Sequence, residues 1–370
     1  MTGAVRLRSD TASMLLTTTA AALRDLLGHV RHVVPSTPSL AAYSGVLLSV
    51  DAAAQTLTVL ASDGETSIAA HATVTEADAG SFLVLPKPLM RYLATLDADR
   101  TVTLAVTSSG DLEITPQGLS SYSFRPLSST FPTPAQPDGE PQPVSFDHVP
   151  ACLAAIRSAV ARENQAVQVL SAGAQVTFNA TDGYRLAQAT APGAGFGTFS
   201  GVLPLPVLER AARLGTTAVA VDTTARLVAF SSPTVTLTAR LLAVPFPAVE
   251  TVIDTAPPTV TRIAAGELLD GLARLVSVAE QAPLRVRLEQ DQLQLEASTA
   301  ELGAGSETVT LASPVAAPFE LMVRGEYLHD AVTALGRASV EVAYSGPVQP
   351  LFLSTDQPCP LLYVVMPVRS

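Results

Sequence analysis

The segment VLPKPLMRYLATL (84–96) returns as VLPLPVLERAARL (202–214) and, more loosely, as LMVRGEYLHDAVTAL (321–335). Pro86 and Pro204 lie 118 residues apart, and Pro204 and Arg324 lie 120 apart. A second element keeps the period. LASDGETSIA (60–69) matches NATDGYRLAQ (179–188), with 119 residues from Asp63 to Asp182, and LEASTAELGA (295–304) stands one period further on. Two independent elements sharing one spacing mark tandem units of one fold. A chain of 370 residues has room for three of them, each long enough to bury a core.

Each unit opens on an amphipathic stretch: TAAALRDLLGHVRHVV (19–34), HVPACLAAIRSAVARE (148–163) and AGELLDGLARLVSVAEQ (265–281). The repeated segment supplies a second helix, with leucines at helical spacing. Between them run alternating stretches such as AVAVD, LVAFSS, TVTLTARLL and LRVRLEQDQLQLEA, which read as strands. The class is α+β, three copies of two helices packed on antiparallel sheet. Two proline clusters, FPTPAQPDGEPQP (131–143) and VPFPAVETVIDTAPP (244–258), read as connectors. The expected partition is an appendage at 1–13, with Met14 a candidate start, then units at 14–136, 137–257 and 258–370.

No run of eighteen apolar residues predicts a membrane span, and the first residues lack the pattern of a secretory signal. Two cysteines, Cys152 and Cys359, make no disulfide framework and no metal-ligand spacing, which fits a reducing cytoplasm. His29, His32, His71, His148 and His329 are scattered, and no zinc-type spacing joins them. No Walker loop and no GxSxG occur, and no helix is predicted after GAGFG (193–197). These absences predict a protein without catalysis, metal or cofactor. The net charge of −11 taken alone argues against nucleic acid, although it says nothing of where charges sit.

The most informative stretch is NATDGYRLAQ. Asp182-Gly183 is an ordinary hairpin signal, but it leaves Thr181, Tyr184, Arg185 and Leu186 unexplained. With ATDGYRLA in the second unit, LYVVMPVR near residue 370 and three α+β repeats, the chain resembles the bacterial DNA polymerase III β subunit, the replicative sliding clamp, over nearly its whole length. The resemblance implies a head-to-tail homodimeric ring of six similar domains, with sheets outside and helices lining a hole for duplex DNA. It implies a processivity factor of the cytoplasm and nucleoid that binds DNA without sequence preference. The replicative polymerase, clamp loader and repair proteins would be tethered through short peptides, which converts a weak contact into an intramolecular one.

Carried over residue by residue, the peptide pocket would comprise Thr181, Gly183, Tyr184, Arg185, Leu186, Pro247, Val252, Val364, Met366, Pro367, Val368 and Arg369. Apolar walls desolvate leucine and phenylalanine anchors, methionine adapts its shape, and arginines orient polar groups. Family members often carry His where Tyr184 stands and Leu where Ser370 stands. In the first unit SDGE replaces a frequent Thr-Asp-Leu-Glu. The resemblance also resolves the charge conflict, because basic residues on helices would face the hole: Arg24, Arg31, Lys87, Arg91, Arg157, Arg162, Arg210, Arg213, Arg274 and Arg337, with His29, His32 and His329 among them. Tyr122, Phe124 and Val278 fall where clamp interfaces place apolar side chains. The alternative is an accessory paralogue that binds client peptides without loading on DNA, recognisable by a missing ring interface or a neutral inner face.

Overall fold

The computed structural model describes residues 14–257, 261–278, 283–299, 303–356 and 359–368, so the 1–13 appendage and Arg369 lie outside the described residues. In chain order the first repeat holds β1 (Leu15–Thr19), α1 (Ala20–Val30), β2 (Val46–Asp51), β3 (Thr56–Ser62), β4 (Thr66–Thr73), β5 (Thr75–Asp78), β6 (Gly80–Val84), α2 (Pro86–Leu93), β7 (Thr101–Val106), β8 (Leu112–Pro116) and β9 (Tyr122–Phe124). Next come β10 (Gln142–Pro143), α3 (Val149–Ile156), β11 (Ala166–Ala172), β12 (Gln175–Thr181), β13 (Arg185–Pro192), β14 (Phe199–Pro204), α4 (Leu205–Arg213), β15 (Ala218–Asp222), β16 (Leu227–Ser231), β17 (Val235–Arg240) and α5 (Glu250–Ile253). The last stretch holds β18 (Thr261–Ala264), α6 (Ala265–Val278), β19 (Pro283–Glu289), β20 (Gln292–Thr299), β21 (Gly303–Thr310), β22 (Phe319–Arg324), α7 (Gly325–Leu335), β23 (Ser339–Ala343), β24 (Leu351–Thr355) and β25 (Leu361–Val365).

Local chemistry sets the helix ends. Thr19 caps α1, its hydroxyl accepting the Ala22 N–H at 3.2 Å, and Ala20, Leu23, Leu27 and Val30 form the buried stripe. Pro86 opens α2, where its missing N–H costs no hydrogen bond. Gly336 closes α7 at φ +88°, a conformation open to glycine. The helix expected over 148–163 is shorter than its apolar pattern: α3 stops at Ile156 and a 3-10 turn takes Arg157–Ala159. The buried Tyr363 hydroxyl sits there, 2.6 Å from Ser158 Oγ and donating to the Ala155 carbonyl at 3.3 Å, so it competes for a group that the next helical turn would use.

Among the described residues the chain forms two compact bodies, one of residues 14–142 with 214–240 and the other of 143–213 with 241–368. The first holds an eight-stranded sheet in the order β10-β15-β16-β17-β4-β3-β2-β6 and a five-stranded sheet, β5-β1-β7-β8-β9. The second holds an eight-stranded sheet, β14-β11-β12-β13-β25-β24-β23-β18, and a four-stranded sheet, β21-β20-β19-β22. Each large sheet joins strands of two successive repeats, β4 to β17 in one body and β13 to β25 in the other, both antiparallel. Helices cover the sheets through apolar residues such as Leu23 and Leu89 in the first body and Leu153, Leu272 and Leu328 in the second, all buried. The connector at 131–143 is not wholly peripheral, since Phe131 is buried with Ala42, Leu47 and Leu83. Among the described residues no helix is long and apolar enough to cross a membrane.

Candidate functional site

The turn between β12 and β13 is held by its own side chains. Asp182 Oδ1 accepts the N–H groups of Tyr184 and Arg185 at 3.0 and 3.1 Å. Thr181 Oγ1 accepts the Gly183 N–H at 3.1 Å and donates to the Arg185 carbonyl at 2.7 Å. Gly183 takes φ +88°, which is why glycine stands there. With the turn fixed, Arg185 pairs with Val365 and Leu186 with Val364 across the β13–β25 ladder, and the Met366 N–H donates to the Tyr184 carbonyl at 3.0 Å. Beyond it, the Val368 N–H donates to the Met322 carbonyl at 2.8 Å, so the tail is tied down past the end of its strand.

Two kinds of surface meet here. Leu186, Val249, Ala343, Phe352 and Val364 form a buried apolar cluster, with Phe246, Val252, Ile253 and Leu362 packed half-buried against it. Above it large side chains remain in water: Tyr184 is 60% exposed and Met366 39%. Exposed Pro247 contributes its carbonyl to the Val249 N–H at 2.8 Å, and Pro367 and Val368 are half-buried. The structure thus brings together Thr181, Gly183, Tyr184, Leu186, Val252, Val364 and Met366 around one apolar floor.

Three residues outside the predicted pocket, Arg324, Tyr327 and Asp330, complete the rim together with Asp182. Arg185 donates through Nε to Asp182 at 3.1 Å and through a terminal nitrogen to Asp330 of α7 at 2.5 Å. Burial works against the guanidinium's charge, yet the bonds to Asp330 and Asp182 carry its pKa above the usual arginine value, so it stays ionised. Its plane lies 4.3 Å from the Tyr327 ring centroid, and Arg324 lies 5.8 Å from the ring of Tyr184 and 5.5 Å from that of Tyr327. Tyr184 and Tyr327 stack with centroids 6.4 Å apart. The result is a rigid aromatic and cationic rim beside an apolar floor, suited to a short chain with apolar anchors. Among the described residues no cluster of His, Cys, Asp or Glu could hold a metal.

Residues 14–133 match the family model "DNA polymerase III beta subunit, N-terminal domain", and residues 250–369 match the one for its C-terminal domain. The chain belongs to the DNA polymerase III β-subunit family. A β sliding clamp of Synechococcus elongatus is 25% identical over 94% of this chain and 97% of its own. Among solved structures, a Pseudomonas aeruginosa sliding clamp bound to griselimycin superposes at TM-score 0.85 with 21% identity, covering 97% of this chain and all of that one. Caulobacter crescentus DNA polymerase III β gives 0.86 and 22%, over 96% of this chain and 100% of its own. The sliding-clamp fold is shown by these likenesses.

The basic residues assigned to the hole of this clamp-family chain separate into groups. Arg24, Lys87, Arg91, Arg210, Arg213 and Arg274 lie on helices. Arg31 stands at the C-cap of α1, His32 in the turn after it, Arg157 in the 3-10 turn, Arg162 beyond that turn and Arg337 past the end of α7, which corrects their placement on helices. The cause is that each helix ends earlier than its basic flank. Several of these arginines have carboxylate partners within the chain. Arg157 and Arg213 share Glu209, Arg274 holds Glu307 with two bonds of 2.7 Å, and Arg337 meets Asp270 at 2.9 Å. Arg31, Lys87 and Arg91 are exposed and form no ion pair among the described residues. Tyr122 is 57% exposed on β9, with Phe124 half-buried, and Tyr92 packs against both at centroid distances of 4.5 and 5.8 Å. Val278 is the last residue of α6, and its side chain lies outside the description.

Proposed function

We propose that two copies of this chain pair head to tail into a ring that encircles duplex DNA, acting as a sliding clamp without chemistry of its own. Three repeats, at 14–136, 137–257 and 258–370, make six similar domains per ring. The observation that carries the reading is a pair of free sheet edges. In the large sheets the strand after the Asp-Gly turn, β4 or β13, pairs with the last strand of the next repeat, β17 or β25. In the third repeat the strand in that position is β21, and it ends its sheet; in the first repeat the corresponding last strand is β9, and it also ends its sheet. Open edges leave unpaired backbone groups, and a head-to-tail partner would cover both by repeating a ladder the chain already makes twice. The Tyr92, Tyr122 and Phe124 cluster stands at the β9 edge as the apolar part of that contact.

In the same reading DNA is held by encirclement, with Arg24, Arg31, Lys87, Arg91, Arg162 and Arg210 offering sparse contacts to phosphates. Client proteins, including the replicative polymerase, dock a short peptide on Thr181–Leu186, Pro247, Val252 and Val364–Arg369. The exposed Tyr184 and Met366 above an apolar floor support that assignment. Sedimentation equilibrium at micromolar concentration tests the ring. The parent is expected to be a dimer and Phe124→Asp a monomer, since an unpaired carboxylate at the contact costs about 3–5 kcal/mol. A monomeric parent overturns the ring.

A further inference from the structure

The chain's only two cysteines, 207 residues apart in sequence, meet in the interior of the second body. Cys152 on α3 is 0% exposed and Cys359, just before β25, is 4% exposed; both are free thiols, with Sγ atoms 3.1 Å apart. A disulfide bond of ~2.05 Å is reached from there by about 1 Å of movement. No third ligand joins them among the described residues, so the pair does not read as a metal site. We propose that Cys152 and Cys359 form an oxidisable cross-link site, which a peroxide converts to an intramolecular disulfide fastening the tail strand β25 to α3.

The chemistry balances on these two groups and one peroxide. One thiolate attacks a peroxide oxygen and breaks the O–O bond, leaving a sulfenic acid and, after protonation, one water. The second sulfur then attacks that sulfenic sulfur, forming the S–S bond and releasing another water. Two thiols lose two electrons and two protons, and hydrogen peroxide is reduced to two waters. Burial, then the hydrogen bond to Cys359, pushes the Cys152 thiol well above its ordinary pKa, so the closed pair reacts slowly. Oxidation is therefore gated by local opening around buried Cys359, and the bond, once made, opposes further opening. What it holds matters, because β25 pairs with β13 and leads into Met366.

The test treats the folded, intact protein with millimolar hydrogen peroxide, quenches, and counts thiols after denaturation. The expected result is joint loss of both thiols, a cross-linked peptide pair containing Cys152 and Cys359 in non-reducing mass mapping, and full reversal by dithiothreitol. The oxidised protein should melt about 5–10 °C higher than the reduced one, as expected for a bond closing a long loop. Cys152→Ser and Cys359→Ser each keep one thiol and form no internal link. Thiols that stay free, sulfinic acids without a cross-linked peptide, or a link that forms only in denatured protein would each overturn the proposal.

Discussion

The first and second Asp-Gly turns share a backbone and differ in what they show to water. In the first body Asp63 Oδ1 accepts the N–H groups of Glu65 and Thr66 at 2.9 and 2.7 Å, Ser62 Oγ accepts from Gly64 and donates to the Thr66 carbonyl, each at 3.0 Å, and the Arg240 N–H donates to the Glu65 carbonyl at 3.0 Å. In the second body Asp182, Thr181 and Met366 make the same bonds at the matching places. Where the second turn exposes Tyr184 and Met366, the first has Glu65 and Arg240, ion-paired at 3.2 Å. The second keeps an apolar floor, with Val364 at a position where the first has Thr238, bonded at 2.8 Å to Gln136 of the connector. A cavity of about 230 Å³ remains in the first body, lined by Tyr43, Glu65, Pro134, Leu227 and Arg240 among others. The turn is thus a structural device of the repeat, and in the proposed reading docking depends on the side chains mounted on it.

Exchanging those side chains should give the largest effect. Tyr184→Glu with Met366→Arg places the first turn's ion pair on the second, where the frame accepts it. Affinity for a clamp-binding peptide should fall at least about 100-fold, close to 3 kcal/mol, with melting temperature kept. Fluorescence anisotropy reads this, and unchanged affinity would mean the two turns are functionally alike. Asp182→Ala comes next. It strips two backbone N–H groups and one side of Arg185, costing about 1–3 kcal/mol in stability and roughly tenfold in peptide affinity. Asp63→Ala should lower the melting temperature by a similar amount, seen by calorimetry, and leave the peptide untouched. Met366→Ala trims one wall, for about 1–2 kcal/mol or five- to thirty-fold in the same anisotropy titration.

The smallest difference is alkaline. Burial pushes the Tyr363 phenol up to about 12, against about 10 for a free tyrosine. A folded pKa above the unfolded one means that the stabilisation is intact below about pH 10 and is lost as pH rises towards 12. The matching strand position in the first body is Leu237, which does not titrate. Tyr363→Phe should remove a late step from the tyrosinate absorbance titration, and a titration unchanged by the substitution would contradict the assignment.

The repeat, the α+β class and the turn at Asp182 were legible because each rests on residues close in sequence. The rim was not. Asp330 and Tyr327 belong to no motif in the sequence, and only the fold brings them to Arg185, 145 residues away from Asp330. The arginines show the same limit. Arg274 and Arg337 look free in sequence, but their neutralising partners Glu307 and Asp270 come from other elements. Cys152 and Cys359 carry no spacing signal at all. What a single sequence hides here is pairing between distant segments, because side-chain chemistry gives no hint of the partner until the sheets assemble.

The central claim is that this chain holds DNA by enclosing it, and retention on a closed circle tests it most directly. The protein is placed on a nicked circular duplex by a clamp loader, washed in high salt that strips electrostatic binders, and followed as the circle is cut once. The account predicts that it stays through the wash and leaves on linearisation. Loss in the wash, or equal retention before and after the cut, would contradict it.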